Sequence, residues 1–236
     1  MQLFYHPEAV QINQELAFDK DESRHIIKVL RKQTGDQLQL TNGKGAFFSS
    51  EIVAANPNKC VVKLLEAENQ EPLPYSLHLA VAPTKLNDRY EWFLEKAVEI
   101  GINEITPIFC EHSERTKIKE ERFEKIILSA MKQSLKAYLP KLNKAVSFSD
   151  FIKTASKSSA KKYIAHCAQG EKKSLKSELQ PNQNVLILIG PEGDFALSEI
   201  ELALKNNFAP VSLGNSRLRT ETAAVVACHS VAFVNE

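Results

Sequence analysis

The 236-residue sequence predicts an α/β protein in two parts, a small β-rich piece followed by a strand–helix alternation with a largely parallel sheet. Three observations predict it. Up to about residue 72, short strand-like runs are cut by turn formers; beyond it, apolar runs alternate with amphipathic ones. Between the two, "NQEPLP" (69–74) reads as a linker stiffened by Pro72 and Pro74. The expected domains are therefore 1–72 and 73–236.

In the first part, "DESRHIIKVLR" (21–31) predicts a helix with Asp21 as N-cap and Ile26, Ile27 and Leu30 at helical spacing. "DQLQLTN" (36–42), "AFFSSEIVA" (46–54) and "KCVVKLL" (59–65) predict strands separated by "GKG" and "NPN", hence a small antiparallel sheet or barrel. In the second part, "SLHLAVAP" (76–83) is a buried strand. "NDRYEWFLEKAVEIG" (87–101) is a helix opening on an Asn/Asp cap, apolar at Tyr90, Phe93, Leu94, Ala97 and Val98, and stopping at Gly101. "EITPIFC" (104–110) is a strand, and "EERFEKIILSAMKQSLKAYL" (120–139) one long helix ending before Pro140. "KKYIAHC" (161–167), "NVLILIG" (184–190) and "APVSLG" (209–214) are further strands. "SEIELALKNN" (198–207) opens with Ser198 and Glu201 in capping-box spacing. The Ala/Val run beginning near Thr220 predicts a last helix that is apolar all round and therefore buried.

Composition narrows the function. A net charge of +1 gives no whole-molecule field for nucleic acid, so any RNA contact must rest on placed cations. Residues 153–176 carry seven Lys against one Glu, which by itself describes a solvated surface. Cys60, Cys110, Cys167 and Cys228 are scattered, as reduced thiols are in a cytoplasmic protein, and His112, His166 and His229 lack ligand spacing, so no metal is expected. "MQLFYHPEAV" lacks the features of a signal peptide, and no run reaches the ~20 apolar residues of a membrane span; a soluble cytoplasmic protein is expected.

The chemistry concentrates in two glycine turns. "VLILIGPEGDF" places Gly190, Pro191, Glu192 and Gly193 after one apolar strand, and "VSLGNSRLR" places Gly214 after another. In an open α/β sheet ligands bind beyond the carboxyl ends of strands, where glycine admits close backbone approach. Either loop alone is an ordinary turn; together, with an acid in one and Arg217 and Arg219 after the other, they point to a site. Neither matches GxGxxG or GxxxxGK[ST], which argues against a dinucleotide- or phosphate-loop enzyme.

"IGPEGDF" followed by "LGNSRLRTETAAV" resembles the signature pair of SPOUT methyltransferases, and more narrowly that of the bacterial 16S ribosomal RNA uridine-N3 methyltransferases. "HIIKVLR", "KLNDRYEWFLEKAVEIGI" and "SERT" (113–116) resemble further blocks of that family in the same order. The resemblance implies a PUA-like N-terminal barrel, a sheet domain with a deep C-terminal trefoil knot, S-adenosyl-L-methionine as methyl donor, 16S ribosomal RNA or the small ribosomal subunit as substrate, and a homodimer. The expected cofactor contacts are Ile189, Gly190, Pro191, Glu192, Gly193, Leu213, Gly214, Leu218, Thr220 and Thr222, with Thr220 also capping the last helix. Arg219, Arg217 and Glu221 are the candidate catalytic groups. His25, Arg31, Lys85, Arg89, Arg115 and Gln133 are the candidate RNA contacts. Two positions depart from the family pattern: Asp194 stands where a second glycine is usual, and Lys132 precedes Gln133 where a Glu is usual. A row of like charge, Glu91, Glu95 and Glu99, requires answering cations. The alternatives are a non-catalytic RNA-binding module on the same scaffold, against which the intact glycines and "RTET" argue, and a SPOUT methyltransferase of another RNA target.

Overall fold

The computed structural model describes residues 2–236. The chain divides into two compact units: residues up to Pro72 together with Met131–Leu139, and Leu73–Ala130 together with Pro140–Glu236.

The first unit is a five-stranded sheet of β1 (Leu3–Tyr5), β2 (Glu15–Ala17), β3 (Gln37–Thr41), β4 (Ala46–Ala54) and β5 (Val61–Asn69), ordered β1-β3-β4-β5-β2. Alternation drives it: Leu38, Leu40, Phe48, Ile52, Val62 and Leu64 face one core with Phe4, Leu16, Phe18 and Ile26. It is not wholly antiparallel, because β1 joins β3 in parallel. The expected helix begins earlier than its sequence suggested. Asp19, not Asp21, is the cap, its carboxylate accepting the Glu22 N–H at 2.8 Å. That helix, α1 (Lys20–Arg24), passes into a π-helical turn over His25–Val29 and stops where Arg31 takes a φ of 57°.

The second unit is an eight-stranded, all-parallel sheet of β6 (Leu77–Val81), β7 (Glu104–Phe109), β8 (Lys141–Leu142), β9 (Val146–Ser147), β10 (Lys161–Ala165), β11 (Lys173–Ser174), β12 (Val185–Ile189) and β13 (Ala209–Ser212). The order is β11-β13-β10-β12-β6-β7-β8, with β9 also on β7. All five residues of β12 are buried, which requires cover on both faces and explains its unbroken apolar run. The helices are α2 (Asn87–Ile100), α3 (Glu120–Gln133), α4 (Phe148–Ala155), α5 (Leu175–Glu178), α6 (Leu197–Lys205) and α7 (Thr220–Val234). α4 and α6 pack on Ala80, Ile164, Leu186 and Leu188. α7 lies on β6 and β12 and against α2.

Four expectations are corrected. α2 has no side-chain cap; Leu86 holds the cap position, and Asn87 is already helical. α6 is entered through Ala196, whose N–H is taken by Glu199 at 3.0 Å, so Ser198 and Glu201 form no capping box. α3 ends at Gln133, not before Pro140, because the chain turns at Leu135 (φ 54°) to serve the first unit. There Ala137 accepts the Gly45 N–H, and the Leu139 N–H donates to Gly43, each at 2.9 Å. α7, finally, is buried along Glu221, Ala224, Ala227, Cys228, Val231 and Ala232 but leaves His229 and Phe233 exposed, so it is one-sided, not apolar-buried all round. α4, buried at Phe148, Phe151, Ile152 and Ala155, was not foreseen.

The docking of residues 137–139 makes a sharp demand on Gly45. Its φ is 101°, and a Cβ there would run into the Tyr138 ring, whose hydroxyl donates to the Gln70 carbonyl at 3.2 Å. Gly45→Ala is expected to cost about 2–4 kcal/mol, left-handed strain plus overpacking, measured as a lowered unfolding midpoint in denaturant.

Candidate active site at the glycine turns

Parallel strands end together, and here β10, β12 and β13 are neighbours, so the loops that follow them converge. They wall two adjoining clefts of about 380 and 490 Å³, a size that suits a small-molecule ligand. The smaller is lined by Ile189–Asp194 and Arg217–Thr220, the larger by Val211–Leu218, His166 and Lys172; Ala165, Cys167, Arg217, Leu218 and Ala223 border both.

Each wall has a local cause. The turn after β12 is closed by the Asp194 N–H donating to Pro191 at 2.9 Å, with Asp194 at a φ of 63°. An aspartate tolerates that conformation, and here its carboxylate is also employed, accepting the Cys167 N–H at 2.8 Å and so tying this turn to the loop after β10. Asp194 thus both fits the turn and braces it. Gly190 is fixed by packing, since a Cβ would meet the Phe195 ring at 3.0 Å. Gly214 is different: its φ is 130° and no atom lies within 4 Å of the place a Cβ would take, so any side chain there would be strained and would project into open space at the cleft.

Thr220 is the first residue of α7, with Arg219 at the cap position. It is therefore not the cap; its buried hydroxyl instead donates to the Gly190 carbonyl at 3.0 Å. Arg217 and Arg219 are exposed on the cleft wall and make no ion pair among the described residues. Burial and nearby Lys172 hold His166 below the ordinary histidine value, against the opposite pull of Asp194. Lys172 is spent on the His166 and Ala168 carbonyls, at 2.9 and 2.7 Å.

Not every expected residue lines the clefts. Glu221 and Thr222 do not; Glu221 is buried, with Arg89 Nε 3.9 Å from its Oε1. Glu192 does, and its Oε1 accepts the Lys85 N–H at 2.9 Å. Arg115 donates to the Thr84 carbonyl at 3.0 Å and the Lys85 carbonyl at 2.6 Å, which holds the 84–86 loop and occupies much of its guanidinium. Lys85 reaches Glu114 at 2.7 Å. The acidic row of α2 is answered: Arg122 pairs with Glu91 at 2.6 Å, and Lys96 with Glu95 at 2.7 Å and Glu99 at 2.9 Å. His25 and Arg31 lie in the first unit, as does Gln133, and there His25 and Lys132 both engage Glu22, at 3.3 and 3.1 Å. The third wall, Ala165–Cys167, was missed as site, although the strand "KKYIAHC" was legible and its carboxyl end was the available signal.

Comparison with known proteins fits this geometry. A family model described as an RNA methyltransferase domain matches residues 71–232, and one described as an RNA methyltransferase PUA domain matches 18–65. The ribosomal RNA small subunit methyltransferase E of Buchnera aphidicola (from Acyrthosiphon pisum) is 32% identical, covering 89% of this chain and 85% of the relative. The chain belongs to this RNA methyltransferase family. Among solved structures of the family, a protein of Porphyromonas gingivalis described as a probable rRNA-methyltransferase superposes with a TM-score of 0.90 at 45% identity, over 100% of this chain and 98% of that one. The ribosomal RNA small subunit methyltransferase E of Neisseria gonorrhoeae, solved bound to S-adenosyl methionine, gives 0.85 at 25% identity, over 100% and 98%.

Thr220→Val tests the anchor of α7. It removes the side-chain donor that the Gly190 carbonyl accepts from and should cost about 1–3 kcal/mol, read as a lowered thermal midpoint with unchanged far-UV circular dichroism at about 25 °C.

Proposed function

We propose that this chain transfers a methyl group from S-adenosyl-L-methionine to N3 of a uridine in 16S ribosomal RNA of the small ribosomal subunit, in the cytoplasm. One observation carries the reading: three strand-end loops of an RNA methyltransferase domain converge on adjoining clefts, with two arginines on the wall that have no acidic partner among the described residues. The chemistry of the walls suits the donor. Backbone-rich glycine turns can contact an adenosine, and Gly214 leaves open the space that a side chain would take. A PUA domain, the cations Lys85, Arg89 and Arg31, and the His25 side chain fit an RNA partner.

S-adenosylmethionine, when bound, supplies a methyl group already activated on a sulfonium. The chain's own task is then to place the base in line with it and to favour the deprotonated form of N3. Arg219, exposed on the cleft wall at the entry to α7, is assigned to stabilise the N3 anion, with Arg217 as the second cation. Gly190, Gly193 and Gly214 with Ile189, Pro191, Leu213 and Leu218 form the donor cradle; Thr220 supports it through Gly190.

Two architectural features complete the proposal. From β13 the chain comes back across β10 to lay α7 on β12 and β6, a path that suits a C-terminal trefoil knot. The outer side of α7, with Val225 and Val226 partly exposed, His229 exposed and Phe233 59% exposed, is the surface through which a homodimer would form. Phe233→Asp should convert a dimer to a monomer in sedimentation at micromolar concentration.

The reaction is tested by single-turnover methylation of small-subunit rRNA followed by mass mapping of the product. The rate should rise with pH through the neutral range, because the nucleophile exists only when N3 has lost its proton. Arg219→Ala should lower that rate by about 10²-fold while changing donor affinity far less. A wild-type rate in both Arg219→Ala and Arg217→Ala would exclude the assigned role.

A further inference from the structure

We propose that Glu221 is a positioning residue that acts through Arg89, holding its guanidinium ready for a phosphate of the RNA backbone; this rests on the RNA methyltransferase reading above. Glu221 lies in the first turn of α7 with its side chain only 7% exposed. Arg89 Nε stands 3.9 Å from Oε1, while Oε2 is buried without a hydrogen-bond partner. A carboxylate in that setting is costly, and the dipole of the helix N-terminus returns only a small part of that cost. An uncharged residue would pack α7 against α2 at less expense. What the charge accomplishes is to hold Arg89.

Arg89 stands in the first turn of α2, its side chain 34% exposed, and its Nη groups have no acceptor among the described residues. At 3.9 Å the pair is held by charge and not by a hydrogen bond; because a guanidinium is a rigid planar fork, that attraction at Nε biases where the Nη donors point. The reference for that orientation is the donor cleft, because the residue before Glu221, Thr220, is bonded to the Gly190 carbonyl. A neighbouring tether works alike: Glu192 of the glycine turn accepts the Lys85 N–H, so both cations of the 85–89 segment are registered to loops of the cleft. Glu221, which lines neither cleft, thus contributes by placing a cation, not by touching donor or base.

The experiment titrates wild type, Glu221→Gln and Arg89→Lys with a 16S rRNA transcript between about 50 and about 200 mM salt. Positioning predicts that both variants bind roughly tenfold more weakly, with the salt dependence flattened by about one unit of slope or less. Electrostatics without positioning predicts the reverse for Glu221→Gln, since a negative charge is lost, and no change for Arg89→Lys, since the charge is kept. In an Arg89→Ala background, Glu221→Gln should add nothing. Unchanged or tighter binding by Glu221→Gln, or a wild-type slope for Arg89→Lys, overturns the proposal. Arg89→Lys alters a partly exposed side chain, so a wild-type slope there overturns the proposal even where Glu221→Gln fails to fold. Wild-type protein that takes up neither S-adenosylmethionine nor rRNA would instead overturn the functional reading itself, and this inference with it.

Discussion

The Thr220 hydroxyl, on the first residue of the last helix, donates to the Gly190 carbonyl and ties the start of that helix to the glycine turn. One wall of the cleft is thereby fastened to the other at a buried point, at the start of a helix whose buried Ala224, Ala227, Cys228 and Val231 lie over the middle of the sheet. The bond is not an isolated contribution of about 1 kcal/mol, because a buried carbonyl left without a donor would cost more than the bond supplies. A parallel sheet favours the arrangement: every strand delivers its loop to the same edge, so ligand-facing groups need only short reaches.

Much of this was legible in the sequence, for identifiable reasons. β4 coincides with "AFFSSEIVA" because its buried positions alternate, and α2 stops at Gly101 because that residue has a φ of 137°. The glycine turns were visible because Gly190 and Gly214 follow apolar runs. What was not legible was tertiary in origin. Capping patterns at Asp21 and Ser198 lost to Asp19 and Glu199, since caps depend on backbone entry angle, which a local window does not contain. The early end of α3 was hidden because "SLKAYL" has good helical composition, and only the backbone partners at Gly43 and Gly45 override it.

The cations were the least legible part. Composition distinguishes arginine from glutamate but not a paired arginine from an unpaired one. Arg115 is directed at two carbonyls and Arg122 at Glu91, whereas Arg217 and Arg219 have no acidic partner among the described residues. In a chain of net charge +1 this sorting replaces bulk charge as the means of placing an electropositive site. The acidic residues serve the same end: Glu192 bonds a backbone N–H of the 84–86 loop, and Asp194 bonds one of the loop after β10.

The passage of Met131–Leu139 into the first unit bears on how the protein is made. That unit takes its last backbone partners, for Gly43 and Gly45, from a segment far downstream; the Thr41 hydroxyl, donating to Ala137 across a separation of 96 residues, belongs to the same seam. On the ribosome the N-terminal strands emerge long before that segment exists, so the turn between β3 and β4 waits without these partners while the intervening strands and helices are synthesised. Folding of the two units is thereby interleaved in time, and the chain resists division at its linker: a fragment ending at Pro72 would carry the strands but not the residues that partner the turn between β3 and β4.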